Sequence, residues 1–298
     1  MKAKIWFRYS YTVLLEFLVL INLAFAQNSS KNQSIVKTIS EGISLVNVSG
    51  YTVTVIDGRD GLLVIDTGYY PGKLDSVIST LFKHPVKYVL NTHYHADHIM
   101  DNKILVDKGA ILIANENSRD VLAAGWNLPG FQSMKILPVS AKYLPKICFM
   151  DTLELYFNDN FIQAIHYPTA HTIGDAIYYI KNKNLIITGD LFVLYGPPYI
   201  DYSYGGTFSG FIKAVDNILN ICDDKTILIP GHGEISDRQG LLEYRNKLLE
   251  SKKIIAKLVS EGKSLDEIIR KDTVRYIFNG SKGYDKDFIT AAYEELKK

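Results

Sequence analysis

The decapeptide NTHYHADHIM, residues 91–100, places three histidines and an aspartate between His93 and His98. In an extended segment the side chains of His93 and His95 point the same way, because side-chain direction repeats every second residue. Asp97 and His98 would then project from the start of the following helix. The segment therefore offers two pairs of ligands to two neighbouring points, which is the pattern of a metal site.

Three further candidate ligands each follow a predicted strand: His171 in HYPTAHTIGD, Asp190 in LIITGDLF and His232 in ILIPGHGE. Strand ends on one edge of a sheet lie side by side, so these loops can form a single cleft. Five of the seven histidines thereby acquire a candidate role. The other two, His84 and His166, have no ligand spacing, and we assign them none.

The elements that must position these residues form two similar runs. Short β-branched strands over residues 43–65 precede βα alternation over residues 73–124, which includes a helix predicted at 98–107. After a loop-rich stretch at 125–145, strands recur over residues 153–188. A helix, a strand and a helix follow, at residues 208–221, 226–229 and 237–261. This order predicts an α/β domain whose two halves pack their sheets face to face, with helices outside.

Residues 1–26 have the pattern of a secretory signal peptide. Basic residues precede an apolar run that ends at Ala24 and Ala26, small residues that suit a signal peptidase. An uncleaved anchor is the alternative, but the run is short for a bilayer and is interrupted by Glu16. We expect a periplasmic or secreted protein without a stable membrane anchor after cleavage. Residues 27–38 are predicted to be a linker, and residues 39–298 the functional domain.

The chain has 298 residues, of which 47% are hydrophobic, enough for one large or two small globular domains. Its formal net charge is +1, and loss of three basic residues and one acid with the signal peptide leaves −1. A chain this close to neutral does not favour nucleic acid, so the expected partner is a small-molecule substrate. The oligomeric state stays open. Cys148 and Cys222 are interpreted as buried thiols, with a disulfide as the alternative.

The motif His93-Tyr94-His95-Ala96-Asp97-His98, with the three later ligands, resembles that of the metallo-β-lactamase superfamily over roughly Ile43 to Leu249. The resemblance implies an α/β fold, the αβ/βα four-layer sandwich, with two mixed sheets packed face to face and helices outside. It also implies a dinuclear centre: His93, His95 and His171 on the first metal, Asp97, His98 and His232 on the second, and Asp190 bridging both. Imidazole and carboxylate ligands suit two Zn²⁺, with iron or manganese as alternatives.

Two zinc ions would lower the pKa of a shared water and make a hydroxide available. Asp97 would orient this hydroxide and Asp190 would join the metals, so these two are the predicted catalytic residues. The implied function is that of an exported, zinc-dependent hydrolase that uses a metal-bound hydroxide to cleave an ester, thioester, lactone or amide bond. The alternatives are a β-lactamase and a mononuclear iron enzyme that oxidises a thiol or persulfide. A noncatalytic binding module would be expected to have lost ligands, and none is lost.

The sequence departs from the family pattern beside the ligands. Ile99 to Asn102 replace the small, glycine-containing turn of many relatives, and Val193 replaces the lysine that binds the substrate carboxylate in the largest class of family β-lactamases. Residues 191–212 contain no Lys or Arg, so β-lactams are predicted to be poor substrates. Asp66, in VIDTG, is interpreted as a residue that supports the ligands.

Two loops are candidates for the pocket wall. Residues 195–206 contain four tyrosines, which either line the pocket or cover the sheet. Residues 123–133 include Trp126 and Phe131, which belong either to an apolar flap or to a packed loop.

Overall fold

A computed structural model describes residues 35–128, 134–280 and 284–298. The predicted signal peptide, most of the predicted linker and Phe131 lie outside these residues. Val36–Lys298 forms one compact unit. In the part of the chain that the structure describes, no helix is both long enough and apolar enough to cross a membrane.

The first half of the chain supplies nine strands: β1 (Ile35–Ser40), β2 (Ile43–Val48), β3 (Tyr51–Gly58), β4 (Gly61–Ile65), β5 (Val86–Leu90), β6 (Ile111–Asn115), β7 (Trp126–Leu128), β8 (Met134–Ile136) and β9 (Ile147–Phe149). Seven of them form one sheet in the order β1-β2-β3-β4-β5-β6-β9. Strands β2 to β4 are an antiparallel meander, and β4, β5, β6 and β9 are parallel. The pair β7 and β8 is a short hairpin within the predicted loop.

The second half supplies five strands: β10 (Thr152–Phe157), β11 (Asn160–Tyr167), β12 (Asp175–Ile180), β13 (Leu185–Val193) and β14 (Ile227–His232). They form a second sheet in chain order. Strands β10 to β13 are antiparallel, and β14 runs parallel to β13. Both sheets are therefore mixed, as the resemblance implied.

Nine helices are described: α1 (Lys73–Leu81), α2 (Ala96–Ile99), α3 (Asn102–Asp107), α4 (Glu116–Ala124), α5 (Phe208–Ile221), α6 (Arg238–Ser260), α7 (Leu265–Lys271), α8 (Thr273–Ile277) and α9 (Asp285–Leu296). The two longest are capped by side chains, since Thr207 accepts from the Gly210 N–H at the start of α5 and Asp237 accepts from the Gly240 N–H at the start of α6. The helices α7 to α9 were not predicted from the sequence.

Three apolar clusters build the four layers. Buried side chains such as Leu63 of the first sheet and Ile187 of the second pack against each other between the sheets. Leu74 of α1 and Leu105 of α3 cover the outer face of the first sheet. Helices α5, α6 and α9 cover the second sheet, where Phe288 is fully buried. The fold is the αβ/βα sandwich, and the expected fold class is confirmed.

The structure corrects the sequence prediction in three places. Residues 35–38, predicted as linker, belong to β1, because β-branched residues favour the extended backbone that pairs with β2. The helix predicted at 98–107 is two helices, α2 and α3, since Asp101 between them accepts hydrogen bonds from the Gly72 and Asp75 N–H groups. Cys148 is exposed rather than buried, and both cysteines are free thiols.

Trp126 belongs to a packed loop rather than to a flap. Its side chain is 2% exposed, and its ring lies 5.5 Å from that of Tyr94. We predict that Trp126→Ala lowers the free energy of unfolding by about 3–5 kcal/mol, as a large core truncation does, measured by denaturant melts. The control Tyr276→Ala, at an 80% exposed site, should stay within about 0.5 kcal/mol. A loss below about 1 kcal/mol for Trp126→Ala would support the flap instead.

Candidate metal centre

The seven candidate ligands lie in or near the ends of strands, on one edge of the sandwich. The loop from β5 to α2 carries His93 and His95, α2 carries Asp97 and His98, and the β11–β12 loop carries His171. Asp190 lies within β13, where the pairing with β14 is irregular, and His232 is the last residue of β14. Both strands thus extend beyond the ends predicted for them, and this brings their ligands to the same edge.

Two groups of ligand atoms result, and within each group the atoms lie within 4.8 Å of one another. In the first group, Nε2 of His171 lies 2.9 Å from Nδ1 of His95 and 3.3 Å from Nε2 of His93. All three imidazoles are buried. This is the set that the resemblance implied for the first metal.

The second group consists of Asp97, His98, Asp190 and His232. Oδ2 of Asp97 lies 3.0 Å from Nε2 of His232, and Oδ1 of Asp190 lies 3.3 Å and 3.4 Å from Nε2 of His98 and of His232. The other oxygen of Asp190, Oδ2, lies 3.7 Å from Nε2 of His171 in the first group. Asp190 therefore faces both groups.

Polar partners outside the two groups orient the imidazoles. Nε2 of His95 donates to Asp201 at 3.2 Å, Nδ1 of His171 donates to the Tyr199 carbonyl at 2.7 Å, and Nδ1 of His98 donates to Asp66 at 2.9 Å. In each bond the donating ring nitrogen carries the proton. The second nitrogen of the same ring therefore keeps a lone pair that can bind a metal. Asp66 supports a ligand, as predicted from the sequence.

The donor set fits a bound cation. With their protons on the outer partners, Nδ1 of His95 and Nε2 of His171 face each other at 2.9 Å through two lone pairs. In the second group, Nε2 of His98 and Oδ1 of Asp190 are buried and lie 3.3 Å apart, but neither makes a well-aligned hydrogen bond among the described residues. Buried polar atoms are nearly always paired. A divalent ion in each group would satisfy these atoms.

The two groups differ in charge. Burial holds the pKa of His93 well below its usual value and lowers that of His171 to about 4. Burial also opposes charge at His98 and His232, but neighbouring carboxylates raise the pKa of His98 well above its usual value, and Asp190 raises that of His232 to about 9. In the metal-free protein the carboxylates therefore favour protonated imidazoles in the second group, whereas burial favours neutral His93 and His171.

Sequence reasoning missed Asp201. Its carboxylate is buried and accepts from Tyr94 Oη as well as from His95, each at 3.2 Å. It lies within residues 195–206, where only the tyrosines were considered as candidates for the pocket wall. An acidic residue in an apolar loop without a nearby cation is the signal that would have identified it.

We predict that Asp201→Ala weakens metal binding at the first group by about 10- to 100-fold, the usual effect of losing such a partner. The measurement is competition of zinc between the protein and a chelator. The control Asp216→Ala removes a partly exposed ion pair to Arg245, remote in the sequence from every candidate ligand, and should leave the affinity unchanged. Equal affinities in the two variants would show that Asp201 does not support His95.

The tyrosines of residues 195–206 divide between the two roles considered. Tyr195 and Tyr199 lie against the centre, with ring centroids 5.4 Å from His232 and 5.7 Å from His95, respectively. Tyr202 is 47% exposed, and the Tyr204 hydroxyl accepts from the Asn127 N–H.

The two histidines without an assigned role do not belong to either ligand group. Exposed His84 contacts Asp57, and half-buried His166 contacts the Asp175 carbonyl.

The fold and the two groups define a metal-binding αβ/βα sandwich, and the chain belongs to the metallo-β-lactamase superfamily, whose family model matches residues 46–253. A hydroxyacylglutathione hydrolase of Pelagibacter ubique is 26% identical over 59% of this chain and 64% of its own length. The probable metallo-hydrolase YqgX of Bacillus subtilis is 26% identical over 60% of this chain and 82% of its own length.

Among solved structures, the metallo-β-lactamase of Pontibacter korlensis superposes with a TM-score of 0.58 at 17% identity, over 73% of this chain and 99% of that protein. At this identity the likeness establishes the fold alone. The relatives support, at a general level, a metal-dependent hydrolase with His and Asp groups that suit a divalent metal. The family implied by the sequence motif is confirmed.

Proposed function

We propose that the chain is an exported hydrolase that holds two zinc ions and cleaves an ester, thioester, lactone or amide bond of a small molecule. The observation that carries this proposal is the position of Asp190, whose two oxygens face different ligand groups. A carboxylate in that position suits a pair of metals better than a single one.

The residues of the site have different roles in the proposed reaction. Asp97 is the most exposed carboxylate of the centre, with 25% of its side chain accessible. It can accept a hydrogen bond from an attacking water and orient it towards the substrate. Burial of His93 and His171 excludes bulk water from the opposite side. Bound divalent ions would supply Lewis acidity that lowers the pKa of water and polarises the scissile carbonyl.

The test is hydrolysis by metal-free protein reloaded with zinc, assayed with thioesters, esters and lactones. Thioesters come first because one relative is named a hydroxyacylglutathione hydrolase. Asp97→Asn keeps the side-chain size but loses the charge, and it should lower kcat by about 10²-fold or more. Asp216→Ala is the surface control. Absence of hydrolysis with the whole panel would contradict the proposal.

The β-lactamase alternative meets an obstacle at Val193. The Val193 side chain is 1% exposed and belongs to the apolar cluster under α5. An uncharged, buried side chain at this position cannot pair with a substrate carboxylate. The missing charged hydrogen bond forgoes about 1.5–3 kcal/mol. We predict that kcat/KM for penicillins and carbapenems lies below ~10⁴ M⁻¹s⁻¹, the lower limit for cognate pairs. Values inside the cognate range would favour the β-lactamase alternative.

The alternative function, a mononuclear iron enzyme, requires ligands for only one metal. The chain instead offers a second group of four side chains, His98, His232 and two aspartates. We therefore favour two zinc ions and hydrolysis. Metal content distinguishes the two, since one iron per chain would indicate oxidation of a thiol or persulfide.

Export rests on the sequence of residues 1–26. The expected result is a mature chain that begins at Gln27 and is recovered from the periplasm or the medium. The mass of the intact protein from each fraction measures this. An unprocessed chain that stays in the cytoplasm would contradict export.

A further inference from the structure

The metal centre is accessible from the side of the second group. His93 and His171 of the first group are 1% exposed, whereas the side chains of His232 and Asp97 are 17% and 25% exposed. A substrate must therefore approach past His232 and Asp97. Whatever surrounds these two residues decides which substrates fit.

Two tyrosine rings pack against His232. The ring of Tyr51 lies 5.7 Å from the His232 imidazole with an interplanar angle of 73°, and that of Tyr195 lies 5.4 Å away at 62°. Tyr51 comes from the first residue of β3, and Tyr195 follows β13. The two rings thus come from opposite halves of the sandwich.

A third ring completes this wall. Tyr284 lies 5.5 Å from Tyr195 and 5.4 Å from Tyr199, ring centroid to ring centroid. Its backbone N–H donates to the Pro197 carbonyl at 3.3 Å, and buried Phe288 anchors the helix that follows. Tyr284 lies beyond the family match at residues 46–253. The C-terminal helices therefore bring to the centre a residue that the family pattern does not include.

The rings continue outwards from Tyr51. Tyr69 stacks on Tyr51 at 5.7 Å, and Tyr70 packs edge-on against Tyr69 at 5.3 Å. Tyr70 is 44% exposed. A continuous aromatic surface therefore leads from solvent to the exposed side of the metal centre.

The segments that carry the ligands and these rings contain few cations. Lys and Arg are absent from residues 38–58, 60–72, 88–102, 147–180, 184–212 and 226–237. Lys282 and Lys286 flank Tyr284 in the sequence, and the structure does not describe Lys282. Within these segments a substrate carboxylate would find no Lys or Arg to pair with, so their composition favours an uncharged substrate.

We propose that Tyr51, Tyr195 and Tyr284 form a substrate subsite beside the metal centre and that this subsite takes an uncharged aromatic group. Aromatic rings prefer edge-to-face or offset packing against one another, and this adds to the effect of burial alone. The inference deepens the proposed hydrolase function and rests on it. Tyr284 is a specificity residue, because its ring belongs to the wall that the aromatic group of the substrate would contact.

The experiment compares three methyl esters with zinc-loaded protein: methyl phenylacetate, methyl cyclohexylacetate and monomethyl succinate. The first two differ in aromaticity at nearly equal size, and the third carries a negative charge. We expect kcat/KM for the phenyl ester to exceed that of the cyclohexyl ester by about 2- to 10-fold. Monomethyl succinate should be the poorest substrate of the three.

Substitutions of the tyrosines test which residues cause the preference for the phenyl ester over the cyclohexyl ester. Tyr284→Ala and Tyr51→Leu, from opposite halves of the chain, should each reduce the phenyl preference towards 1, mainly through KM. Tyr284→Phe should retain it because the ring remains. Tyr276→Ala, an exposed tyrosine of the same C-terminal segment, is the matched control and should behave as the wild type.

A binding measurement separates failure of the subsite from failure of the hydrolase function. The ketones 4-phenyl-2-butanone and 4-cyclohexyl-2-butanone cannot be hydrolysed, and NMR titration gives their dissociation constants. Tighter binding of the phenyl ketone, lost in Tyr284→Ala, supports the subsite even if no ester is cleaved. Equal binding of the two ketones, or a preference for monomethyl succinate among the esters, would overturn it.

Discussion

Asp190→Ala should lose metal from both ligand groups and abolish turnover. The carboxylate is 7% exposed, and its oxygens face His98 and His232 on one side and His171 on the other. Removal of a partner outside the ligand set weakens a metal site by up to about 100-fold. Loss of a group that faces both metals should therefore exceed this at each. Elemental analysis of the purified variant measures the result.

His95→Ala is the informative comparison, because His95 faces only the first group. It should empty mainly one site and leave about one metal per chain. Asp216→Ala, on the surface of α5, should retain the metal content of the wild type. An Asp190→Ala protein with unchanged metal content would remove the bridging role from Asp190.

Zinc affinity at the second group should fall steeply as the pH decreases. Although burial opposes it, Asp190 raises the pKa of His232 to about 9, and carboxylates likewise raise that of His98. The raised pKa values favour protonated rings in the metal-free protein near neutral pH, so zinc must displace up to two protons. Each displaced proton costs about tenfold in affinity per pH unit, so the decrease approaches 100-fold per unit.

The first group should respond much less. Burial lowers the pKa of His93 well below its usual value and that of His171 to about 4, so these rings bind metal without releasing a proton between pH 6 and 8. Chelator competition at several pH values separates the two sites. Equal pH dependence at both sites, or release of no protons at the second, would contradict this assignment.

The protons on His98 and His232 also stabilise the metal-free fold. The free energy of unfolding therefore changes with pH in the direction opposite to the affinity for zinc. A histidine whose folded pKa is raised contributes stability that is fully present below its unfolded pKa, about 6.5. For His232 the contribution is lost as the pH rises through about 9. Metal-free protein should therefore become less stable over the interval in which its affinity for zinc increases.

The seven candidate ligands could be proposed from the sequence because each follows closely on an apolar run that predicts a strand. Strand ends meet at one edge once the two sheets pack, so His93 and His171 come together although they are far apart in the chain. The boundaries of the strands were harder to predict. Asp190 was placed beyond its strand, whereas β13 continues to Val193 through an irregular pairing with β14.

Residues that act through tertiary packing could not be read from the sequence. Asp201 supports His95 only because the loop after β13 folds back over the first group. Tyr284 reaches the centre because Phe288 is buried with α5 and α6, a contact between distant segments that no local pattern predicts. Helix 98–107 was predicted as continuous because the break depends on Asp101, which binds backbone N–H groups of another segment.

Metal content per chain tests the central claim most directly. Protein purified without added metal or chelator, after expression with its own N-terminal segment, can be assayed by inductively coupled plasma mass spectrometry against an amino-acid analysis. Two ligand groups joined by Asp190 predict two zinc ions per chain, with activity that returns in proportion when stripped protein is reloaded. One iron per chain and no zinc would contradict the dinuclear hydrolase.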